Sequence, residues 1–420
     1  MLGNSVLSTL RRVLGALFIG LALAGAALAQ QPLKIGFGMS LTGPLAGNGK
    51  AALIAMEIWR DDVNAKGGIL GRTVEFVYYD DQTSPSTVPS LYSKLLDVDK
   101  VDLVVSGYGT AVIAPAMPLM MQRNLTFMTL FGLNVNSKFN YDRYFQIMPA
   151  GPQPAIGWSQ GFFDVAMGMN PKPKTIALVG ADAEYPAMAL EGAREHAKKT
   201  GLKIVYDKTY PPNTVDYSPI VRAIQASNPE IVFVASYPPD SAGMVRAVNE
   251  VGLKTRIFGG GLVGPQFAAL KTQLGPLLNG VVNYEFYAPD LGGRFPFLDQ
   301  FLAKYQARAA KEGVDPLGFY LPPYAYAMMQ VLDQAITATK GLDQAKLAEY
   351  IHKNTFDTYV GKVGFAKNGE WAAPRVMMTQ YHGITGNDVE QFKKPGRLTV
   401  LSPKEYKTGE LKAPYHENKK

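Results

Sequence analysis

Strand-length apolar runs alternate with helix-period segments through most of this 420-residue chain, and that alternation leaves few architectures open. Runs at 34–41, 73–79, 103–106, 126–130, 175–179, 203–206, 231–236 and 256–259 read as strands. Several are continuous in Val, Ile, Leu and Phe rather than alternating, the pattern of parallel strands covered on both faces. The segments between them carry helix signals. Asp240 suits an N-cap, Met244, Val245, Val248 and Val251 follow at 3–4 spacing, and Gly252 stands where a C′ glycine belongs. Pro186 suits a first turn ahead of Leu190, Ala193 and Ala197, with Gly201 at the end. Asp216 opens a further helix that stops at Asn228-Pro229. Units of this kind build α/β sheets with right-handed crossovers.

The alternation runs twice, over about 33–149 and again from Lys174, with a Pro/Gly-containing join at 149–154. From Gly280 come another strand, helices near 294–312, 323–340 and 343–353, and two short strand-like runs flanking Lys367-Asn368-Gly369. These blocks predict one lobe from 30–149 and 280–356, a second from 150–279 and 357–395, and a C-terminal tail at 396–420. At the other end, Arg11 and Arg12 precede an apolar run, Val13–Ala29, that closes Ala27-Leu28-Ala29. A basic start, an apolar middle and a small-x-small ending describe a secretory signal peptide cut after Ala29. Cleavage removes 29 of 420 residues, leaving 391, and two arginines, lowering the net charge from +7 to +5.

The chain contains no cysteine, which excludes thiolate metal sites, disulfides, a cysteine nucleophile and a lipid anchor at the cleavage point. His196, His352, His382 and His416 stand isolated, and neither a G-x-S-x-G elbow nor a phosphate-binding P-loop occurs. Gly259–Gly264 fits G-x-G-x-x-G, but it follows the eighth strand and runs into Pro265. It reads as a tight turn lining a cleft rather than a pyrophosphate cradle. Asp80-Asp81 reads as a turn or cap, and the scattered lysines as solvated surface with no nucleic-acid stripe. No catalytic residue, metal site or cofactor is expected. What remains is a set of polar and aromatic residues in loops just after strands, where open α/β sheets bind ligands: Ser40–Pro44, Gly107–Thr110, Phe131–Leu133, Tyr185, Tyr237 and Gly259–Leu262.

Ser40-Leu41-Thr42-Gly43-Pro44-Leu45-Ala46, Asn64-Ala65-Lys66-Gly67-Gly68-Ile69-Leu70-Gly71, Asp80-Asp81-Gln82 and Tyr237-Pro238-Pro239 resemble the leucine/isoleucine/valine-binding family of substrate-binding proteins that serve ABC importers. The resemblance spans nearly the whole mature chain. It implies a type I periplasmic-binding-protein fold: an α/β protein of two doubly wound parallel-sheet lobes, joined by a hinge of three crossovers. It further implies a periplasmic monomer, not an enzyme, that closes on a small-molecule ligand and delivers it to a membrane permease and its ATPase. Carried over, the resemblance places the ligand carboxylate at Tyr108-Gly109-Thr110 and Gly132-Leu133. Tyr185 and Tyr237 stand at positions of covering aromatics, and Asn48 stands where the opening loop often has an aromatic residue. Gly261, beside Leu262, stands where amino-acid binders have the carboxylate that pairs with the α-ammonium. A buried ammonium without such a partner is costly. With Phe131 and Leu133 adding apolar surface, the expected ligand is an aromatic or aliphatic acid without an α-amino group. The alternatives are a branched-chain amino acid or amide as ligand, and a sensor on the same fold that reports to a chemoreceptor or kinase.

Overall fold

The two strand series build two separate sheets. A computed structural model describes residues 31–418, and the expected signal peptide at 1–29 lies outside them. The first lobe holds β1 (Leu33–Met39), α1 (Ala46–Ala65), β2 (Val74–Asp80), α2 (Val88–Asp97), β3 (Leu103–Tyr108), α3 (Thr110–Ile113), α4 (Met117–Gln122), β4 (Phe127–Leu130) and β5 (Tyr144–Gln146). Its sheet runs β2-β1-β3-β4-β5, every pair parallel. The second lobe takes α5 (Pro154–Met167), β6 (Thr175–Ala181), α6 (Glu184–Thr200), β7 (Lys203–Tyr210), α7 (Ser218–Ala226), β8 (Ile231–Ser236), α8 (Pro238–Val251), β9 (Ile257–Leu262), α9 (Ala268–Leu274) and β10 (Val282–Glu285).

Helices α10 (Pro296–Glu312), α11 (Pro322–Thr339) and α12 (Gln344–Lys353) return to the first lobe, where α10 and α11 pack on α1. The hairpin of β11 (Thr355–Thr358) and β12 (Gly361–Gly364) leans on α11. Strands β13 (Met377–Tyr381) and β14 (Leu398–Ser402) then complete the second sheet, ordered β14-β13-β10-β9-β8-β6-β7. Only the β10–β13 and β13–β14 pairs are antiparallel there. The chain therefore passes between the lobes three times. In each sheet the order reverses beside the first strand of its series, between β1 and β3 and between β6 and β8. Such switch points open crevices at the carboxyl ends of the strands, and the loops after β3, β4, β6 and β8 gather there.

The strand pairing corrects the expected lobe bounds at three places. The crossing set at 280 falls after β10, because Val282 and Asn283 pair with Gly259 and Gly260 of β9. A Cβ on Gly259 would stand 1.9 Å from the Val282 carbonyl oxygen, so glycine is what lets this strand come in. The crossing set at 357 falls beyond the β11–β12 hairpin, whose neighbour Phe365 meets the Phe145 ring of the first lobe at 5.3 Å. The segment expected to be a tail supplies β14, and Tyr415, 1% exposed, packs on Phe258 at 5.2 Å. Strand β9 also runs on to Leu262, so Gly259–Gly261 are strand rather than turn.

One buried ion pair ties α9 to β10. Lys271 Nζ lies 3.3 Å from Glu285 Oε1, with both side chains at most 1% exposed. The Tyr381 hydroxyl also donates to that carboxylate at 2.9 Å. Burial raises the Glu285 pKa, and Lys271 and Tyr381 oppose the rise. Removing one partner strands a charge in the core, so Lys271→Met is expected to cost about 3–5 kcal/mol. Adding Glu285→Gln should recover part of that loss in urea unfolding.

Candidate functional site

Two aspartates shape the loop after β1. Asp80 accepts the Thr42 hydroxyl at 2.6 Å and the amides of Leu41, Thr42 and Gln82 at 2.8–3.2 Å. Asp81 accepts the Ser40 hydroxyl at 2.6 Å and the Thr83 amide at 2.8 Å. The pair is a brace, and it fixes the entry into α1.

After β3, Gly109 turns the chain with φ +109°, a conformation open to glycine, and Thr110 begins α3 at the cleft. The Thr110 hydroxyl oxygen accepts the Leu133 amide at 3.0 Å, joining the β3 and β4 loops. Its own proton remains available for donation. Phe131 stands left-handed at φ +60°, a conformation costing a bulky residue about 1–3 kcal/mol. The surroundings hold it there: its amide donates to Gln146 Oε1 at 2.8 Å, and its ring meets Phe286, Tyr320 and Tyr324 at 5.1–5.3 Å.

The second lobe answers with aromatic side chains. Trp158, the fifth residue of α5, meets Tyr185 edge-on at 5.8 Å, and Tyr185 meets Tyr237 at 5.7 Å. The Tyr185 hydroxyl donates to the Gly261 carbonyl at 2.8 Å. Across the cleft the Tyr108 and Tyr320 hydroxyls lie 3.1 Å apart. Burial pushes Tyr108 up to about 12, and Tyr185, Tyr237 and Tyr320 are pushed up by burial as well. All four therefore stay protonated donors at ordinary pH.

These loops enclose a cavity of about 20 Å³, lined by Tyr108, Gly109, Thr110, Phe131, Leu133, Met148, Trp158, Tyr185, Tyr237, Val263 and Tyr320. No acidic or basic side chain is among them. Of the residues singled out in the sequence, Asn48, Gly132, Gly261 and Leu262 do not line it. Asn48 sits behind Tyr108, its amide 3.5 Å from that hydroxyl, because it falls in the first turn of α1. Gly132 turns its carbonyl to Gln146 and Tyr144. Leu262 is bonded both ways to the Asn283 side chain. Gly261 lies behind Tyr185, and a Cβ there would stand 3.1 Å from the Tyr185 hydroxyl and 2.9 Å from the Val234 carbonyl. Met148, Trp158, Val263 and Tyr320 went unrecognised in the sequence. The signal for Trp158 and Tyr320 was present, since each is an aromatic residue beside a proline-marked lobe crossing or helix start.

The glycine run owes its composition to packing. A Cβ on Gly260 would lie 2.5 Å from the Phe233 ring and 3.0 Å from that of Phe162. With φ +98°, Gly260→Ala combines left-handed strain with overpacking and should cost about 3 kcal/mol or more. Gly201→Ala meets open space at φ +73° and should cost only about 1–2 kcal/mol. Denaturant midpoints of the two variants compare them directly.

The fold and the cleft between two lobes agree with the comparisons. The periplasmic binding protein family matches residues 32–383, and the chain belongs to that family. A Leu-, Ile-, Val-, Thr- and Ala-binding protein of Pseudomonas aeruginosa is 26% identical over 371 residues, covering 85% of this chain and 92% of the relative. A branched-chain amino-acid transporter substrate-binding protein of Streptococcus pneumoniae, solved with isoleucine, superposes with TM-score 0.71 at 18% identity, covering 89% of this chain and 100% of that one. An ABC-transporter solute-binding protein of R. palustris, solved with 4-hydroxybenzoate, superposes with TM-score 0.72 at 19% identity, covering 89% and 96%. Members of this family are periplasmic substrate-binding proteins that work with ABC transporter components.

Proposed function

We propose that this chain captures a small carboxylic acid lacking an α-amino group, with an aromatic or branched aliphatic body, for an ABC importer. The observation that carries the reading is the chemistry of the lining. Hydroxyl and indole donors are grouped around apolar surface, and no carboxylate is present to meet an ammonium. An anion buried among fixed donors is stabilised by charge-assisted hydrogen bonds, whereas a buried ammonium without a carboxylate is not. Gly261 cannot be the amine partner, and Tyr185 fills the space a side chain there would need. In the reading offered here, Thr110 and Tyr108 donate to the ligand carboxylate, and Phe131, Leu133 and Met148 take its body. Among solved relatives, both an amino-acid complex and a 4-hydroxybenzoate complex share the fold, so the fold is compatible with either ligand class and the lining supports the acid.

Capture requires motion, because about 20 Å³ holds little more than one water, whereas cavities that take benzene are of order 150 Å³. The lobes meet around the cleft through contacts that include Asn134 Nδ2 and Met188 Sδ, 3.7 Å apart. Lys138 and Glu184 pair at 3.5 Å on the surface, and the Phe267 ring of the second lobe sits on Gly47 of α1, where a Cβ would be 2.2 Å away. Opening exposes the first-lobe donors, and closure over the ligand excludes water and strengthens their hydrogen bonds.

Isothermal titration should find benzoate-type acids binding with micromolar or tighter affinity, and leucine, isoleucine and valine not binding. The reverse result overturns the reading. Thr110→Val should weaken acid binding about 10–100-fold, the loss of a hydrogen bond to a charged group. Gly47→Leu, outside the cavity, should wedge the lobes apart. It should weaken acid binding about tenfold or more, with a larger radius of gyration by small-angle scattering in the presence of ligand.

A further inference from the structure

We propose that the ligand is bifunctional, carrying a second, oxygen-bearing group that accepts hydrogen bonds from Trp158 and Tyr237 on the second lobe. This rests on the acid-binding reading above and extends it to the opposite end of the molecule.

Two buried polar atoms of the cavity wall have no hydrogen-bond partner, Trp158 Nε1 and Tyr237 Oη. Trp158 approaches the Tyr185 hydroxyl and the Tyr237 hydroxyl approaches the Tyr185 backbone N–H, but neither approach has the geometry of a hydrogen bond, and the Tyr185 proton is spent on the Gly261 carbonyl. Buried donors are nearly always satisfied, and an orphan in a native structure calls for an explanation. The first-lobe side of the same cavity shows the contrast. Tyr108, Thr110 and Tyr320 there are linked to Asn48, Leu133 and each other. The two orphans are on second-lobe elements, at the start of α5 and just before α8, so they meet the ligand when that lobe closes.

What would satisfy them is an acceptor. An indole N–H can only donate, which excludes a cationic or purely donating group at that end. A phenolic hydroxyl, an aliphatic hydroxyl or a carbonyl oxygen fits, and it can accept from Trp158 and Tyr237 together. A site whose buried donors expect such an oxygen discriminates strongly against an analogue lacking it, because the donors are then left unpaired. The lining thus distinguishes hydroxylated or oxo-acids from the plain acids of the same shape.

The test uses the full mature chain and four probes: benzoate, 4-methylbenzoate, 3-hydroxybenzoate and 4-hydroxybenzoate. In titrations of the unmodified protein, the better hydroxybenzoate should bind tenfold or more tightly than benzoate. The size-matched 4-methylbenzoate should gain nothing comparable. In Trp158→Phe and Tyr237→Phe, checked for folding by thermal melting, that affinity ratio should fall towards one. A ratio near one in the unmodified protein overturns the inference, as does a ratio that survives both substitutions while the two affinities fall together. If benzoate and hydroxybenzoates bind equally well, only this inference fails. If no acid binds and leucine does, the acid-binding reading falls with it.

Discussion

The hydroxyl of Tyr185 donates to the Gly261 carbonyl at 2.8 Å, and the character of the cleft depends on that contact. It joins the first turn of α6 to β9 and anchors the aromatic row Trp158–Tyr185–Tyr237. It also removes the room a side chain at 261 would take. Glycines 259–261 serve three different neighbours at once: the β10 backbone, the rings of Phe233 and Phe162, and Tyr185. A run that resembles a nucleotide-binding signature is here a set of close approaches, each of which a methyl group would block.

The electrostatic consequence follows from the same packing. The wall offers protonated hydroxyls and an indole N–H, held by burial in their neutral donor forms, and no charged side chain. In a low-dielectric chamber such dipoles stabilise an anion without needing a cation beside it. The same chamber penalises an ammonium. Under the proposed function, selectivity between acids and amino acids rests on an absent carboxylate as much as on the donors present.

Much of the fold was legible in the sequence, and the exceptions have physical causes. Continuous Val/Ile/Phe runs marked the buried strands, because parallel strands covered on both faces need no alternation. Three-residue β5 carries too little pattern to be seen. Strand β14 lies between Lys-, Gly- and Pro-containing segments and gains its identity only by pairing with β13. The loops that meet in the cleft could be marked from sequence because they follow strands at sheet switch points. Asn48, Gly132, Gly261 and Leu262 were placed one layer too far forward, since sequence order cannot tell a lining residue from the one that supports it. Tyr320 comes from the segment before α11, far along the chain from Tyr108, and only the third dimension brings their hydroxyls to 3.1 Å.

If the missing α-ammonium partner decides the ligand class, a matched pair of ligands isolates that one group. Leucine and 4-methylpentanoate share the carboxylate and the branched body and differ only by the α-amino group. Calorimetric titration of both into the mature protein under identical conditions should give measurable binding of 4-methylpentanoate, at least a hundredfold tighter than leucine. Leucine binding as tightly as its deaminated counterpart, or more tightly, would contradict the account.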